Sequence, residues 1–319
     1  MTRILISGST GFIAGNLIPE LAKKGYDVYA LERYMTGRYV QGKMGSFKTL
    51  YGDLNDHDRI REIIVDLKPE YIVHLAAISA VSYSYDHPFE VIETNFKATV
   101  NLAEVNRKYN PSLKQFLFSG TSEEYGNQKE IPIKESAELR PNSPYAVSKV
   151  ASDHYLKYMR DAYGFPITVL RNFNTYGRKE NTHFVVERII SQMLKGDEVR
   201  LGDPEAIRDL MFVSDHVNAY LSCLGNEKAL GETFNFCTGS GVSIRELAEV
   251  IGDLVNYGGE VVWNTVPPRP LDIKVLIGDN SKAWNVLGWR PKTSMVEGIR
   301  KLRAMYPKQV VVADEKIRG

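Results

Sequence analysis

Short apolar runs alternate with longer amphipathic stretches through the first half of the chain. The short runs are rich in β-branched residues and almost free of polar positions, as expected for parallel strands that are covered on both faces. They predict strands at Ile4–Ser7, Val28–Leu31, Phe47–Tyr51, Tyr71–Leu75, Phe116–Ser119 and Ile167–Arg171. The longer stretches predict helices at Phe12–Lys24, Asp56–Leu67, Phe89–Tyr109 and Pro144–Tyr163. This repetition predicts an α/β fold with a doubly wound parallel sheet.

The pattern changes after Arg171, where strands become short and sparse. The proline-rich stretch Val266–Pro270 excludes a regular helix or a central strand there. The remaining pattern predicts a short strand at Val310–Val312 and helices at Phe184–Lys195, Val213–Leu224, Ile244–Val255, Asn280–Leu287 and Met295–Met305. We expect residues 1–172, joined by 197–225, to form the domain with the parallel sheet. Residues 173–196 and 226–319 should form a smaller mixed α/β region at the carboxyl edge of that sheet.

The composition narrows the classes of partner. The 319 residues include 40 Lys and Arg and 39 Asp and Glu, a balance that gives no electrostatic footprint for nucleic acid or an anionic membrane. Cys223 and Cys237 form no CxxC motif, and the histidines lack metal-ligand spacing, so we predict neither a disulfide framework nor a metal site. No apolar run approaches the roughly 20 residues of a membrane span. We therefore expect a cytoplasmic globular protein.

A glycine-rich turn joins the first strand to the first helix. Gly8 and Gly11 would let backbone N–H groups approach a pyrophosphate at the helix N-terminus, beside Phe12 and Ile13. The spacing is GxxGxxA, with Ala14 as the third small residue, and not GxGxxG. The turn predicts a dinucleotide site, with a tight turn that binds no ligand as the alternative.

Two further segments bear on the cofactor. Glu32 ends the second strand, where an acidic side chain can bind a ribose diol and repel the extra phosphate of NADP, which favours NAD. Arg33 could attract the same phosphate, so NADP stays possible. Asp53 and Leu54 follow the third strand as candidate adenine-side contacts, with a plain turn and a capping aspartate as the alternative.

Tyr145 and Lys149 are four residues apart in a predicted helix and therefore share one face. An ammonium group beside a phenol, with an oxidised nicotinamide nearby, stabilises the phenolate and lowers the pKa of the tyrosine, which suits a general base. The segment Thr121–Gly126 lies at the carboxyl end of an apolar strand, the edge where active sites of α/β sheets occur. Together these features predict a base that takes a proton from a sugar hydroxyl while a hydride leaves the same carbon.

Several motifs now resemble one family, the extended short-chain dehydrogenases/reductases that act on nucleotide sugars (NAD-dependent epimerases and dehydratases). They are Gly8–Ala14, His74–Ala77, Thr121–Gly126, Tyr145–Lys149, Arg171–Gly177, Gly202–Asp209, Arg269–Pro270 and Leu287–Trp289. The resemblance covers nearly the whole chain. It implies a Rossmann-type sheet, tightly held NAD, a nucleotide-sugar substrate and a homodimer formed by the two long helices as a four-helix bundle.

The resemblance also implies roles for single residues. Thr121 would hydrogen-bond the reacting C4 oxygen, Tyr145 would be the base for that hydroxyl, and Lys149 would bind the nicotinamide ribose. A planar guanidinium suits a diphosphate, so two arginines would clamp that group of the substrate. The remaining implied contacts are Ala76 and Ala77 with the cofactor, and Ser79, Asn174, Arg208 and Arg269 with the substrate.

Glu123 favours one reaction within the family, because its segment resembles the sugar-nucleotide 4,6-dehydratases of the GDP-mannose type. Oxidation at C4 acidifies the C5 proton, which a carboxylate can remove before returning a proton to the departing C6 hydroxyl. We therefore expect 4,6-dehydration of a GDP-mannose-like nucleotide hexose to its 4-keto-6-deoxy product. The alternatives are a 4-epimerase, which needs no such carboxylate, an NAD(P)H-dependent 4-keto-6-deoxyhexose reductase, and a non-catalytic dinucleotide sensor.

Overall fold

The computed structural model describes residues 1–33, 47–178, 181–196 and 198–306. A central sheet of seven parallel strands confirms the predicted α/β class. The strands lie in the spatial order β3 (Lys48–Tyr51), β2 (Asp27–Glu32), β1 (Arg3–Ser7), β4 (Tyr71–His74), β5 (Gln115–Thr121), β6 (Ile167–Asn172) and β11 (Thr233–Phe236). The order runs outward in both directions from β1 and β4. Their carboxyl ends therefore form the switch point where doubly wound sheets bind ligands.

Helices surround this sheet and continue into the C-terminal part. They are α1 (Phe12–Lys23), α2 (His57–Leu67), α3 (Val81–Asp86), α4 (Pro88–Ile92), α5 (Ala98–Tyr109), α6 (Pro144–Tyr163), α7 (Val185–Lys195), α8 (Val213–Cys223), α9 (Ile244–Val255), α10 (Ser281–Leu287) and α11 (Met295–Ala304). Three small sheets pair the short strands β7 (Asn174–Tyr176) with β10 (Leu210–Phe212), β8 (Val199–Arg200) with β13 (Val261–Val262), and β9 (Ile207–Arg208) with β12 (Val242–Ser243) and β14 (Val275–Leu276).

The two faces of the sheet are both apolar, which explains the near-continuous apolar runs. In β1, Ile4 and Ile6 belong to the apolar cluster on one face, whereas Leu5 belongs to the cluster on the other. Leu17 of α1 packs in the first cluster and Ile64 of α2 in the second. Covering both faces leaves the carboxyl edge of the sheet as the place for polar chemistry.

The predicted helix Phe89–Tyr109 is wrong in one respect. The structure has α4 and α5 with a π-helical turn, Glu93–Lys97, between them. Asn95 in this turn is fully buried, and its side chain accepts the Ile78 N–H at 2.8 Å and donates to the Ser148 hydroxyl at 3.0 Å. Hydropathy spacing cannot anticipate a turn of this kind, whose buried side chain is hydrogen-bonded to a neighbouring loop. Phe89, the first residue of the predicted helix, is 90% exposed. The homodimer expected to form through the two long helices stays a prediction.

The predicted domain boundary at residue 226 does not follow the sheet. β11 lies beyond it, yet it pairs with β6 as the seventh strand of the central sheet. The alternation in Thr233–Phe236 is too short to predict a strand by itself. The segment 197–225 contributes α8, which packs against α1. The strand predicted at Val310–Val312 lies outside the described residues, and within the described ranges no helix is long and apolar enough to cross a membrane.

Candidate active site

A cavity of about 900 Å³ opens at the carboxyl edge of the sheet. Its walls come from the glycine-rich turn, the ends of β5 and β6, the start of α6 and the C-terminal segment around Arg269. The predicted site residues that line it are Gly8, Gly11, Phe12, Ile13, Ala77, Ser79, Thr121, Glu123, Tyr145, Lys149, Asn174, Arg208 and Arg269. The fold therefore brings together residues that are separated by more than 250 positions in the sequence.

The glycine-rich turn fits closely against the end of β4. Gly8 has a φ of +69°, and its carbonyl accepts the Gly11 N–H at 2.9 Å. A Cβ at Gly8 would lie 2.6 Å from the Ala76 nitrogen, so only glycine leaves the two segments at this spacing. The turn leads directly into α1, and the N-terminus of a helix offers free N–H groups to a dinucleotide pyrophosphate. The residues present therefore fit a dinucleotide cofactor.

Other predicted cofactor contacts lie outside the cavity wall, namely Glu32, Arg33, Asp53, Leu54 and Ala76. Glu32 is half-buried at the end of β2, and burial raises its carboxyl pKa. The Asp53 carboxylate accepts the Asn55 N–H at 2.9 Å, which matches the plain turn given above as the alternative. The cap of α2 is Asp56, whose side chain accepts the Arg59 N–H at 3.0 Å. The contacts of these residues with a cofactor stay predictions.

The catalytic candidates meet where β5 ends and α6 begins. The Thr121 side chain lies close enough to the hydroxyl of Tyr145 to influence its pKa, and Lys149 Nζ donates to the Ser119 carbonyl at 2.9 Å. Both Tyr145 and Lys149 are buried. Burial lowers the pKa of Lys149 to about 8 and raises that of Tyr145, whereas the nearby Thr121 side chain lowers the Tyr145 pKa.

Within the protein itself, burial has the largest effect on the pKa of Tyr145 and raises it. The Lys149 ammonium donates to the Ser119 carbonyl and lies 4.9 Å from the centre of the Phe118 ring. The lowered pKa expected for Tyr145 beside Lys149 and an oxidised nicotinamide stays a prediction. A positively charged nicotinamide beside the phenol would favour its ionisation when the cofactor is bound.

Glu123 occupies the short 3-10 turn Ser122–Tyr125 that follows β5. Its side chain is buried at the cavity wall, and Oε2 has no hydrogen-bond partner in the described part of the chain. Burial raises the pKa of this carboxyl, while the charges of Arg269 and Arg208 act against that shift. A carboxyl group with a raised pKa in the same cavity as Tyr145 is suited to both giving and taking a proton.

The substrate-side candidates form the opposite wall. Arg208 in β9 donates to the Ile207 carbonyl at 2.9 Å and lies 3.6 Å from the Asp272 carboxylate. Burial lowers the pKa of Arg208. Asn174 in β7 donates to the carbonyl of Asp209, the residue after Arg208, at 3.4 Å. This wall carries the positive charge that a diphosphate needs.

Arg178, which no pattern in the sequence singles out, also lines the cavity. Its guanidinium lies 3.7 Å from the centre of the Phe184 ring and 4.4 Å from that of Phe12, and it donates to the Thr175 carbonyl. Burial lowers its pKa to about 10. The only signal in the sequence is an arginine within a polar turn, and the stacking between two aromatic rings arises from the fold.

The comparisons with known proteins agree with this geometry. The GDP-mannose 4,6 dehydratase family profile matches residues 5–302. A UDP-glucose 4-epimerase of Mycolicibacterium smegmatis is 33% identical over 307 residues, covering 94% of this chain and 96% of the relative. A dTDP-glucose 4,6-dehydratase of Xanthomonas campestris is 28% identical over 327 residues, covering 94% and 91%. The structure of Thermus thermophilus UDP-glucose 4-epimerase with NAD has a TM-score of 0.86 at 30% identity, covering 96% of this chain and 100% of that one.

These similarities confirm the predicted Rossmann-type fold, the NAD cofactor and the nucleotide-sugar substrate class. They confirm the expected dehydratase only at the level of an epimerase or dehydratase, since both activities occur among the relatives. The family profile spans all but the ends of the chain. The chain therefore belongs to the NAD-dependent epimerase/dehydratase family of extended short-chain dehydrogenases/reductases, and it is an enzyme that modifies nucleotide sugars.

Proposed function

We propose that this enzyme is a nucleotide-sugar 4-epimerase that oxidises and then reduces C4 of the sugar. The observation that carries the proposal is that Thr121 and Tyr145 line one cavity together with Lys149 and the glycine-rich turn. The 4-epimerase of Mycolicibacterium smegmatis, at 33% identity over nearly the full length, supports the stereochemical outcome.

The proposed reaction assigns a task to each residue. Tyr145 takes the proton of the C4 hydroxyl, while the Thr121 hydroxyl binds the same oxygen and keeps it in line with the phenol. NAD, when bound, supplies the acceptor for the C4 hydride and gives it back. Lys149 holds positive charge beside the phenolate, and Tyr145 returns the proton to the oxygen at the end of the cycle. The atoms balance, because only the configuration at C4 changes.

Inversion at C4 requires the 4-keto sugar to present its other face before reduction. The cavity of about 900 Å³ leaves space for that turn while Arg208 and Arg269 hold the diphosphate at one wall. A guanidinium can keep two hydrogen bonds to a phosphate while the sugar beyond it rotates. The arrangement thus supports a fixed diphosphate and a mobile hexose.

We expect the purified protein to invert C4 in at least one member of a panel of UDP-, GDP-, dTDP- and CDP-hexoses, with no reduced cofactor added. The measurement is the mass of the product together with its proton NMR couplings at C4. Unchanged mass with an inverted C4 supports the proposal. A product lighter by one water contradicts it and establishes a 4,6-dehydratase.

The second candidate is 4,6-dehydration, and the buried carboxyl of Glu123 favours it. With C4 oxidised, Glu123 would remove the C5 proton and protonate the C6 hydroxyl, which leaves as water. If the hydride taken from C4 by NAD then passed to C6, C5 would have to regain a proton, equivalent to the one that Tyr145 took from the C4 hydroxyl, to give the 4-keto-6-deoxy sugar. The unpartnered Oε2 and the raised pKa of this carboxyl support both proton transfers.

Replacing Glu123 with glutamine separates the two candidates. Under dehydration the variant should lose about 10²- to 10⁴-fold in kcat, because a general acid and base is removed. Under epimerisation its kcat should stay within about threefold of the wild type. Glu135→Gln is a matched control, since Glu135 is also partly buried with a raised pKa but lies outside the cavity wall. If the wild type is a dehydratase and Glu123→Gln eliminates water at the same rate, Glu123 has no acid–base role.

A further inference from the structure

Glu124 lies next to the catalytic residues but is not part of the cavity wall. Its side chain is completely buried, and both carboxylate oxygens are hydrogen-bonded. Oε1 accepts the backbone N–H of Thr121 at 2.9 Å, and Oε2 accepts Nε of Arg171 at 3.0 Å. The proposed reaction uses Thr121 and leaves Glu124 without a task.

Arg171 connects this carboxylate to the rest of the sheet. It is 1% exposed in β6, and it donates to the Tyr125 hydroxyl at 2.9 Å and to the Asp153 carboxylate of α6. The Tyr125 hydroxyl in turn donates to Asn235 of β11 at 2.6 Å. The network therefore ties the backbone of Thr121 to three regular elements, which gives it a rigid support.

Gly120 shows that the space for the carboxylate is part of the local packing. A Cβ at this position would lie 2.9 Å from Oε1 of Glu124 and 3.2 Å from the Leu170 carbonyl oxygen. A larger residue would push the carboxylate away from the Thr121 N–H. The absence of a side chain at Gly120 therefore leaves the space that the Glu124 carboxylate occupies.

We propose that Glu124 is a positioning residue, which holds the Thr121 backbone so that its hydroxyl meets Tyr145 and the reacting oxygen. Thr121 begins the 3-10 turn, where its side chain also accepts the Glu123 N–H at 3.3 Å. A shift of the backbone would move the hydroxyl away from Tyr145, and a misplacement of about 1 Å can cost roughly 100-fold in rate. This inference rests on the proposed function, because it assumes that Thr121 acts in catalysis.

The first test is Glu124→Gln. Glutamine has one acceptor oxygen, so it cannot serve both the Thr121 N–H and Arg171. We expect kcat to fall by about tenfold or more with KM unchanged within about twofold, because the substrate diphosphate is bound elsewhere. In the Thr121→Val background the same substitution should lower kcat by less than about twofold. Equal losses in both backgrounds would overturn the proposal.

Asp153→Asn is the matched control, because it removes the other carboxylate on Arg171 without touching Thr121. Its effect on kcat should be the same in the wild-type background and in the Thr121→Val background, since the Asp153 carboxylate accepts from Arg171 and none of its described hydrogen bonds joins it to Thr121. If Asp153→Asn is coupled to Thr121 as strongly as Glu124→Gln is, Glu124 has no specific positioning role. Should Glu124→Gln fail to fold, Glu124→Asp keeps the charge but shortens the side chain, and the same cycle applies.

A second measurement does not depend on turnover. Hydrogen–deuterium exchange at the Thr121 amide should be faster in Glu124→Gln than in the wild type and in Asp153→Asn, because the acceptor of that N–H is lost. If no sugar of the panel is converted but the Thr121 amide exchanges faster in Glu124→Gln, the proposed function is wrong. The hydrogen bond from the Thr121 N–H to Glu124 is then confirmed independently of that function. If exchange at Thr121 is unchanged in Glu124→Gln, the positioning role is wrong whatever the activity.

Discussion

Tyr145→Phe is expected to lower kcat by about 10³-fold, with KM changed little. The phenol hydroxyl is the group that we propose takes the C4 proton in both the epimerase and the dehydratase mechanism, and the Thr121 side chain lies close enough to influence its pKa. Phenylalanine keeps the ring and removes only that hydroxyl. The measurement is the initial rate of product formation on the sugar identified from the panel, at several substrate concentrations.

Tyr155→Phe is the matched control for this variant. Tyr155 lies on the same helix, but its hydroxyl donates to Glu104 at 2.8 Å and it is not part of the cavity wall. Its loss should leave kcat within about twofold. A Tyr145→Phe enzyme that retains more than about a tenth of the wild-type kcat would exclude Tyr145 as the general base.

Gly8→Ala should abolish cofactor binding at accessible concentrations. The residue has a φ of +69°, which costs a non-glycine residue about 1–2 kcal/mol. The added Cβ would also lie 2.6–2.8 Å from backbone atoms of Leu75 and Ala76, which follow β4 and cannot rotate away. We expect the affinity for NAD to fall by at least about 100-fold, as the turn moves off the end of β4.

Gly25→Ala tests how much of this effect comes from backbone strain alone. Gly25 has a φ of +82°, yet a Cβ there would meet nothing within 4 Å. The free energy of unfolding should fall in both variants, because a positive φ is unfavourable for alanine. Only Gly8→Ala should lose NAD affinity. The measurements are NAD titration and urea unfolding of both proteins. Equal NAD affinity of the two variants would show that the close packing at Gly8 does not hold the cofactor turn.

The parts of the fold that are predictable from sequence are those with strong local patterns. The apolar runs before Arg171 predict their strands to within two residues at each end, because the runs are bounded by polar turns. The start of α6 is also predictable, since Pro144 occupies its first turn. The presence of Thr121 and Tyr145 in one site is also predictable. Thr121 ends a strand at the edge where α/β sheets bind ligands, and the family resemblance assigns Tyr145 to the same site.

The remainder depends on contacts that are distant in sequence. Glu124 is indistinguishable from Glu123 in the sequence, but one is buried against Arg171 and the other lines the cavity. Arg178 stands between two aromatic rings only because α1 and the turn before α7 converge. The raised pKa of Tyr145 likewise follows from burial, which spacing along a helix does not reveal. Such features require the packed structure.

The contact between Lys149 and the Ser119 carbonyl has a thermodynamic consequence for the enzyme. The ammonium is buried without a carboxylate in direct contact among its described hydrogen bonds, and its pKa of about 8 lies below the 10.5 of an exposed lysine. The unfolded chain therefore binds this proton more tightly, and the free energy of unfolding rises as the pH increases from 8 to 10.5. At neutral pH the protein gives up part of its stability to keep a preorganised charge at the proposed reaction centre, a trade-off typical of residues retained for chemistry.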